Sequence, residues 1–150
     1  MTDFRYFDDY EVGQVLTSSK HTVTEEESMG FANAWDPQPF HVDKQAAEDS
    51  LYGGLTCCTA HIFAINSKLG SLMEPRLAAI AGLGFDDMRI HRPLRPGDTV
   101  HFTTECTSLR RSKTKPDRGI IQTHTKLINQ HDELVFTTLV TMMVRTRPAA

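Results

Sequence analysis

The sequence predicts an α+β domain in which an antiparallel sheet of long strands wraps around one central helix. Three observations predict it. Residues 55–65, Leu-Thr-Cys-Cys-Thr-Ala-His-Ile-Phe-Ala-Ile, are small and apolar on most sides, as a helix buried in the middle of a domain is. Residues 100–109, 120–129 and 134–146 are rich in Val, Ile and Thr, and the second stretch alternates Ile121, Thr123, Thr125 and Leu127. Only residues 110–119 and 130–133 separate these stretches, so they read as consecutive strands of a meander. A sheet of this kind closing on one helix describes a single hot-dog domain.

Composition limits what that domain does. At 150 residues the chain is expected to form one domain, residues 1–150, or one protomer of an assembly. Hydrophobic residues make up 39% and charged residues 23%, and the net charge of -3 leaves no basic face for nucleic acid. The three cysteines fit neither a disulfide framework nor a zinc-finger spacing, which points to a reduced, cytoplasmic chain. The N-terminus lacks a basic region followed by an apolar run, and no apolar stretch approaches the length of a membrane span.

In chain order, residues 3–16 form an aromatic-rich lead-in with a turn at Gly13, and residues 15–23 are extended. Residues 24–27, Thr-Glu-Glu-Glu, make a capping box with acids in the first turn, and the helix they open runs to about Trp35. Pro37 and Pro39 then exclude helix from residues 35–41 and hold Asp36 and Gln38 extended. Asp43 caps a second short helix that ends before Tyr52-Gly53-Gly54. The central helix spans residues 56–72, and a short strand at 78–83 precedes the three long ones.

The stretch with chemistry is Trp35-Asp36-Pro37-Gln38-Pro39-Phe40-His41. A stiff loop can hold a carboxylate and an imidazole at fixed separation for proton transfer. Read from these residues alone, the favoured reading of Asp36 and His41 is a surface acid beside a hydrogen-bonded histidine in a rigid turn.

Asp36-Pro37-Gln38-Pro39-Phe40-His41 resembles the hydratase-2 motif of the MaoC-like family of (R)-specific enoyl-CoA hydratases. Tyr52-Gly53-Gly54-Leu55 looks like that family's approach to its central helix. Residues 92–99, Arg-Pro-Leu-Arg-Pro-Gly-Asp-Thr, are similar to its strand opening, and the likeness covers most of residues 10–147.

The resemblance implies that Asp36 and His41 jointly activate one water that adds across the double bond of a trans-2-enoyl thioester. It implies a backbone N–H at Thr59 as donor to the thioester oxygen, although Thr59 stands where the family usually has glycine. Gln38 replaces the family's usual Asn and is left with an open role as a positioning or substrate contact. Gly54 belongs to the same shell. Ser67 offers either a hydroxyl near the site or a serine bonded to its own helix. A homodimer with continuous sheets is also implied. The resemblance brings no cofactor beyond the coenzyme A carried by the substrate. A hot-dog acyl-CoA thioesterase and a non-catalytic acyl-binding partner subunit are the competing readings.

Arg110, Arg111 and Lys113, with Arg92 as a competitor, are candidates for the phosphates of coenzyme A, or are solvated loop charges. Cys57 and Cys58 read as small core residues rather than nucleophiles. His41 and Asp43 lack a third partner at metal-binding spacing, so no metal is expected.

Overall fold

The computed structural model describes residues 3–149. Thr24 caps α1 (Glu25–Trp35), its hydroxyl accepting from the Glu27 N–H at 3.1 Å as the capping box predicts. Two short helices follow, α2 (Pro39–Val42) and α3 (Lys44–Glu48), and then the central helix α4 (Thr59–Ser71). Asp43 caps α3 by accepting from the Ala46 N–H at 2.9 Å.

Four short strands serve the edges: β1 (Phe4–Arg5), β2 (Val15–Thr17), β3 (His21–Thr22) and β4 (Arg76–Leu77). Four long ones make the sheet: β5 (Ala79–Ile90), β6 (Thr99–Arg111), β7 (Arg118–Ile128) and β8 (Leu134–Arg145). The main sheet runs β2-β6-β7-β8-β5, antiparallel throughout, with β3 also on β6 and with β1 and β4 paired apart from it. Ile62, Ile65 and Leu69 lie on one face of α4 and pack against Phe102, Leu127 and Phe136 of the sheet. This is the single hot-dog domain that the sequence predicts.

Three expectations change. The proline segment is partly helical, because Pro39 occupies the first position of α2, where its missing N–H is no loss and its fixed φ suits a helix. The central helix starts at Thr59 rather than residue 56, because the Cys57 N–H donates to the Leu94 carbonyl at 2.7 Å and Cys58 is extended. Its outer face, with Thr59, Ala60, Ser67 and Lys68, is exposed. The strand expected at 78–83 continues to Ile90, since register shifts at Gly82/Gly84 and Asp86/Arg89 absorb its glycines and acids.

Glu27 joins three elements. Its carboxylate accepts from His21 Nε2 at 2.9 Å and from His61 Nε2 at 3.0 Å, tying β3 and α4 to α1. Burial opposes its ionised form, yet the bonds from His61 and His21 hold its carboxyl below the usual range. A depressed folded value means that this stabilisation is present at neutral pH and is lost as pH falls through it. Glu27→Ala leaves the buried His61 without its acceptor and is expected to lower stability by about 1–3 kcal/mol. Urea unfolding at neutral pH checks this, the gap to wild type should close in acid, and an unchanged midpoint contradicts it.

Candidate active site

Asp36 and His41 come together as the sequence implies. Asp36 is the C-cap of α1, its N–H donating to the Ala32 carbonyl at 2.8 Å, and its side chain is 38% exposed. His41 sits in α2 and is buried, its ring edge-on to Phe40 with centroids 4.5 Å apart. Nδ1 lies 2.6 Å from the Thr56 carbonyl oxygen. A carbonyl only accepts, so Nδ1 carries the hydrogen and the neutral ring turns a lone pair outward at Nε2. Nε2 stands 3.9 Å from Asp36 Oδ2. That gap is too long for a direct hydrogen bond and suits one water bonded to both groups.

Thr59 is the first residue of α4, so its N–H has no partner within the helix and lies at the positive end of the dipole. The extended run before it leads back through Thr56, which holds His41. The imidazole and the backbone donor are therefore set by one short segment.

Arg95 supports that segment from the strand-opening loop. Its Nη2 donates to the Tyr52 carbonyl at 2.5 Å, and its Nη1 approaches the Leu55 carbonyl at 3.5 Å. Gly54 makes room for this, since a Cβ there would stand 3.2 Å from Arg95 Nη1. Gly54 also anchors the loop by donating its N–H to the Ala47 carbonyl at 3.0 Å. Gln38 contributes through its main chain: its carbonyl accepts from the His41 N–H at 2.9 Å while its side chain is exposed.

The cysteines at the start of α4 are buried and free. Burial pushes the Cys57 thiol up to about 11, and burial together with the nearby Asp36 charge raises that of Cys58. Both stay protonated at neutral pH and act as small packing groups, in keeping with the sequence reading. Among the described residues no cluster of three His, Cys, Asp or Glu side chains is arranged to hold a metal.

The remaining candidates lie elsewhere. Ser67 is exposed on α4 and lines a cavity of about 380 Å³ between that helix and the sheet, together with Asn66, Phe63 and Met142. Arg110 and Arg111 end β6, while Arg95 and Asp98 stand just before its start. Arg110 and Arg111 therefore stand at the opposite end of that strand from the loop that carries Arg95. Arg111 is bonded to Asp8 and lies over the Phe7 ring at 5.3 Å, and Arg92 pairs with Glu133 at 2.5 Å.

Comparison with known proteins identifies the family and the fold. The family model of the MaoC like domain matches residues 10–127. The chain belongs to that family. The crystal structure of the MaoC-like dehydratase from Rhodospirillum rubrum is similar with a TM-score of 0.90 at 35% identity, covering 97% of this chain and 99% of that one. YdeM of Bacillus subtilis, itself uncharacterized, is 27% identical over 132 residues, 86% of this chain and 91% of YdeM. The beta-methylmalyl-CoA dehydratase of Chloroflexus aurantiacus is 25% identical over 144 residues, which cover 95% of this chain but 40% of that enzyme.

Three residues of this MaoC like domain escape sequence reasoning. Thr56 acts through its carbonyl, which no side-chain pattern reports. Arg95 reads as one of several arginines until the Tyr52 and Leu55 carbonyls are seen to converge on it. Asn66 is the one amide in α4 and is buried, which its residue type alone does not report.

Proposed function

We propose that this MaoC like domain adds water across the double bond of a trans-2-enoyl-CoA thioester to give the (R)-3-hydroxyacyl-CoA, or runs the reverse dehydration. The observation that carries the proposal is the 2.6 Å contact between His41 Nδ1 and the Thr56 carbonyl, which leaves Nε2 able to accept from the water that Asp36 also binds. One water gives one hydrogen bond to the Asp36 carboxylate and the other to His41 Nε2. As its oxygen attacks C3, the pair takes up a proton and returns it to C2 on the same face. Charge collects on the thioester oxygen, and the Thr59 N–H is aimed to receive it. The chain's likeness to a dehydratase of a CoA thioester supports the reaction class.

The cavity beside α4 offers space for the acyl chain. Arg110 and Lys113, on the far end of the sheet, meet coenzyme A in this reading only across a protomer boundary.

A homodimer follows from the sheet edge. Among the described residues β5 pairs only with β8, and its Leu83, Phe85, Met88 and Ile90 are 41–50% exposed, an apolar edge that a second copy would cover. A reducing, cytoplasmic setting agrees with the three unpaired cysteines.

Purified protein mixed with a trans-2-enoyl-CoA is expected to bleach the absorbance of the conjugated thioester. Asp36→Asn and His41→Ala should each lower kcat by about 10²- to 10⁴-fold while the circular dichroism stays native. Release of free thiol would assign a thioesterase instead, and neither signal would assign a binding subunit. Sedimentation should give twice the chain mass, with Leu83→Arg returning a monomer; a monomeric wild type contradicts the dimer.

A further inference from the structure

The cavity along α4 holds about 380 Å³, the size of a small-molecule pocket, and Phe63, Phe102, Val140 and Met142 give it a mainly apolar lining. Two arginines of the β1–β4 pair, Arg5 and Arg76, join that lining, and they differ. Arg76 is exposed and pairs with Glu74 at 3.4 Å. Arg5 is half-buried, and among the described residues it forms no ion pair. Asp9, the carboxylate that senses the Arg5 charge, already accepts from the Tyr6 N–H at 2.8 Å and from Arg147 at 2.5 Å. A guanidinium does not shed its proton, so the charge beside this apolar chamber is left to water or to an anion.

Tyr10 supplies a second donor at the same place. It also lines the cavity, and the Arg5 guanidinium carbon lies 6.0 Å from the centroid of its ring. Burial pushes the Tyr10 hydroxyl up, with the Arg5 charge working against that rise, so the phenol keeps its proton at neutral pH. The chemistry of a matching anion is restricted. The planar fork of an arginine fits the two oxygens of a carboxylate, and one cation balances its single charge. A phosphate monoester would bring a second charge to an apolar wall with nothing to balance it. The rest of the ligand must be hydrocarbon to suit Phe63, Phe102 and Met142.

We infer that this cavity binds the anion of a fatty acid, its carboxylate held by Arg5 and Tyr10 and its alkyl chain lying along Phe63, Phe102 and Met142. The inference rests on the cavity and its unpaired cation, and not on the hydration proposed above.

The test is titration calorimetry of the full chain with octanoate, decanoate and 1-decanol at neutral pH. Wild type is expected to bind decanoate about tenfold more tightly than 1-decanol, which lacks the charge. It should also prefer decanoate to octanoate by roughly tenfold, since each buried methylene contributes about fourfold. Arg5→Gln keeps a polar side chain without the charge and is expected to lose about tenfold for decanoate while 1-decanol binds as before. Gly70→Leu fills the cavity, where a Cβ already meets the Phe102 ring at 3.6 Å, and should weaken decanoate and 1-decanol together. Equal affinity for decanoate and 1-decanol in wild type, or no binding of either, overturns the inference whether or not the variants fold. Undiminished decanoate binding by Arg5→Gln or by Gly70→Leu overturns it too, by placing the anion elsewhere.

Discussion

The hydrogen bond from His41 Nδ1 to the Thr56 carbonyl is the contact on which the site depends. It fixes which imidazole nitrogen carries the hydrogen, and therefore that Nε2 faces Asp36 as an acceptor. It also helps to keep the segment before α4 extended, together with the bond from the Cys57 N–H to Leu94. Were the helix to begin three residues sooner, the Thr59 N–H would lie inside it and be used up by the chain. In the proposed reaction, one contact thus sets both the proton acceptor and the donor for the thioester oxygen.

Around that contact the fold is arranged to resist movement. Glu27 clamps α1, whose C-terminus carries Asp36, to the buried His61 of α4, and Arg95 gathers the loop carbonyls that lead into the same helix. Phe31 stacks on His61 with ring centroids 4.6 Å apart, adding packing to that hydrogen bond. A cavity lies along α4 against the sheet, lined by Phe63, Phe102 and Met142 among others.

Much of this was legible in the sequence because it depends on local chemistry. The Thr24 cap, the Asp43 cap and the three long strands follow from residue types at short spacing, while the pairing of Asp36 with His41 came from the resemblance of their motif to a family's. What was missed depends on partners far along the chain. Pro37 and Pro39 read as helix breakers, yet position within a turn decides, and Pro39 opens α2. The strand ending at Ile90 contains glycines and two aspartates that look like a turn until β8 pairs with them through bulges. The start of α4 was displaced because Leu94, thirty-seven residues after Cys57, takes that residue's N–H. The basic residues 110–113 look available for a nucleotide in the sequence, but Arg110 and Arg111 lie at the far end of β6 from Arg95, and Arg111 is bonded to Asp8.

The most direct test of the account is a crystal structure of the Asp36→Asn protein with a trans-2-enoyl-CoA bound. The account predicts the thioester oxygen about 2.7–3.1 Å from the Thr59 N–H, with C3 turned toward residue 36 and His41 Nε2. A thioester whose carbonyl carbon, rather than C3, faces that pair, or whose oxygen lies away from Thr59, would contradict it.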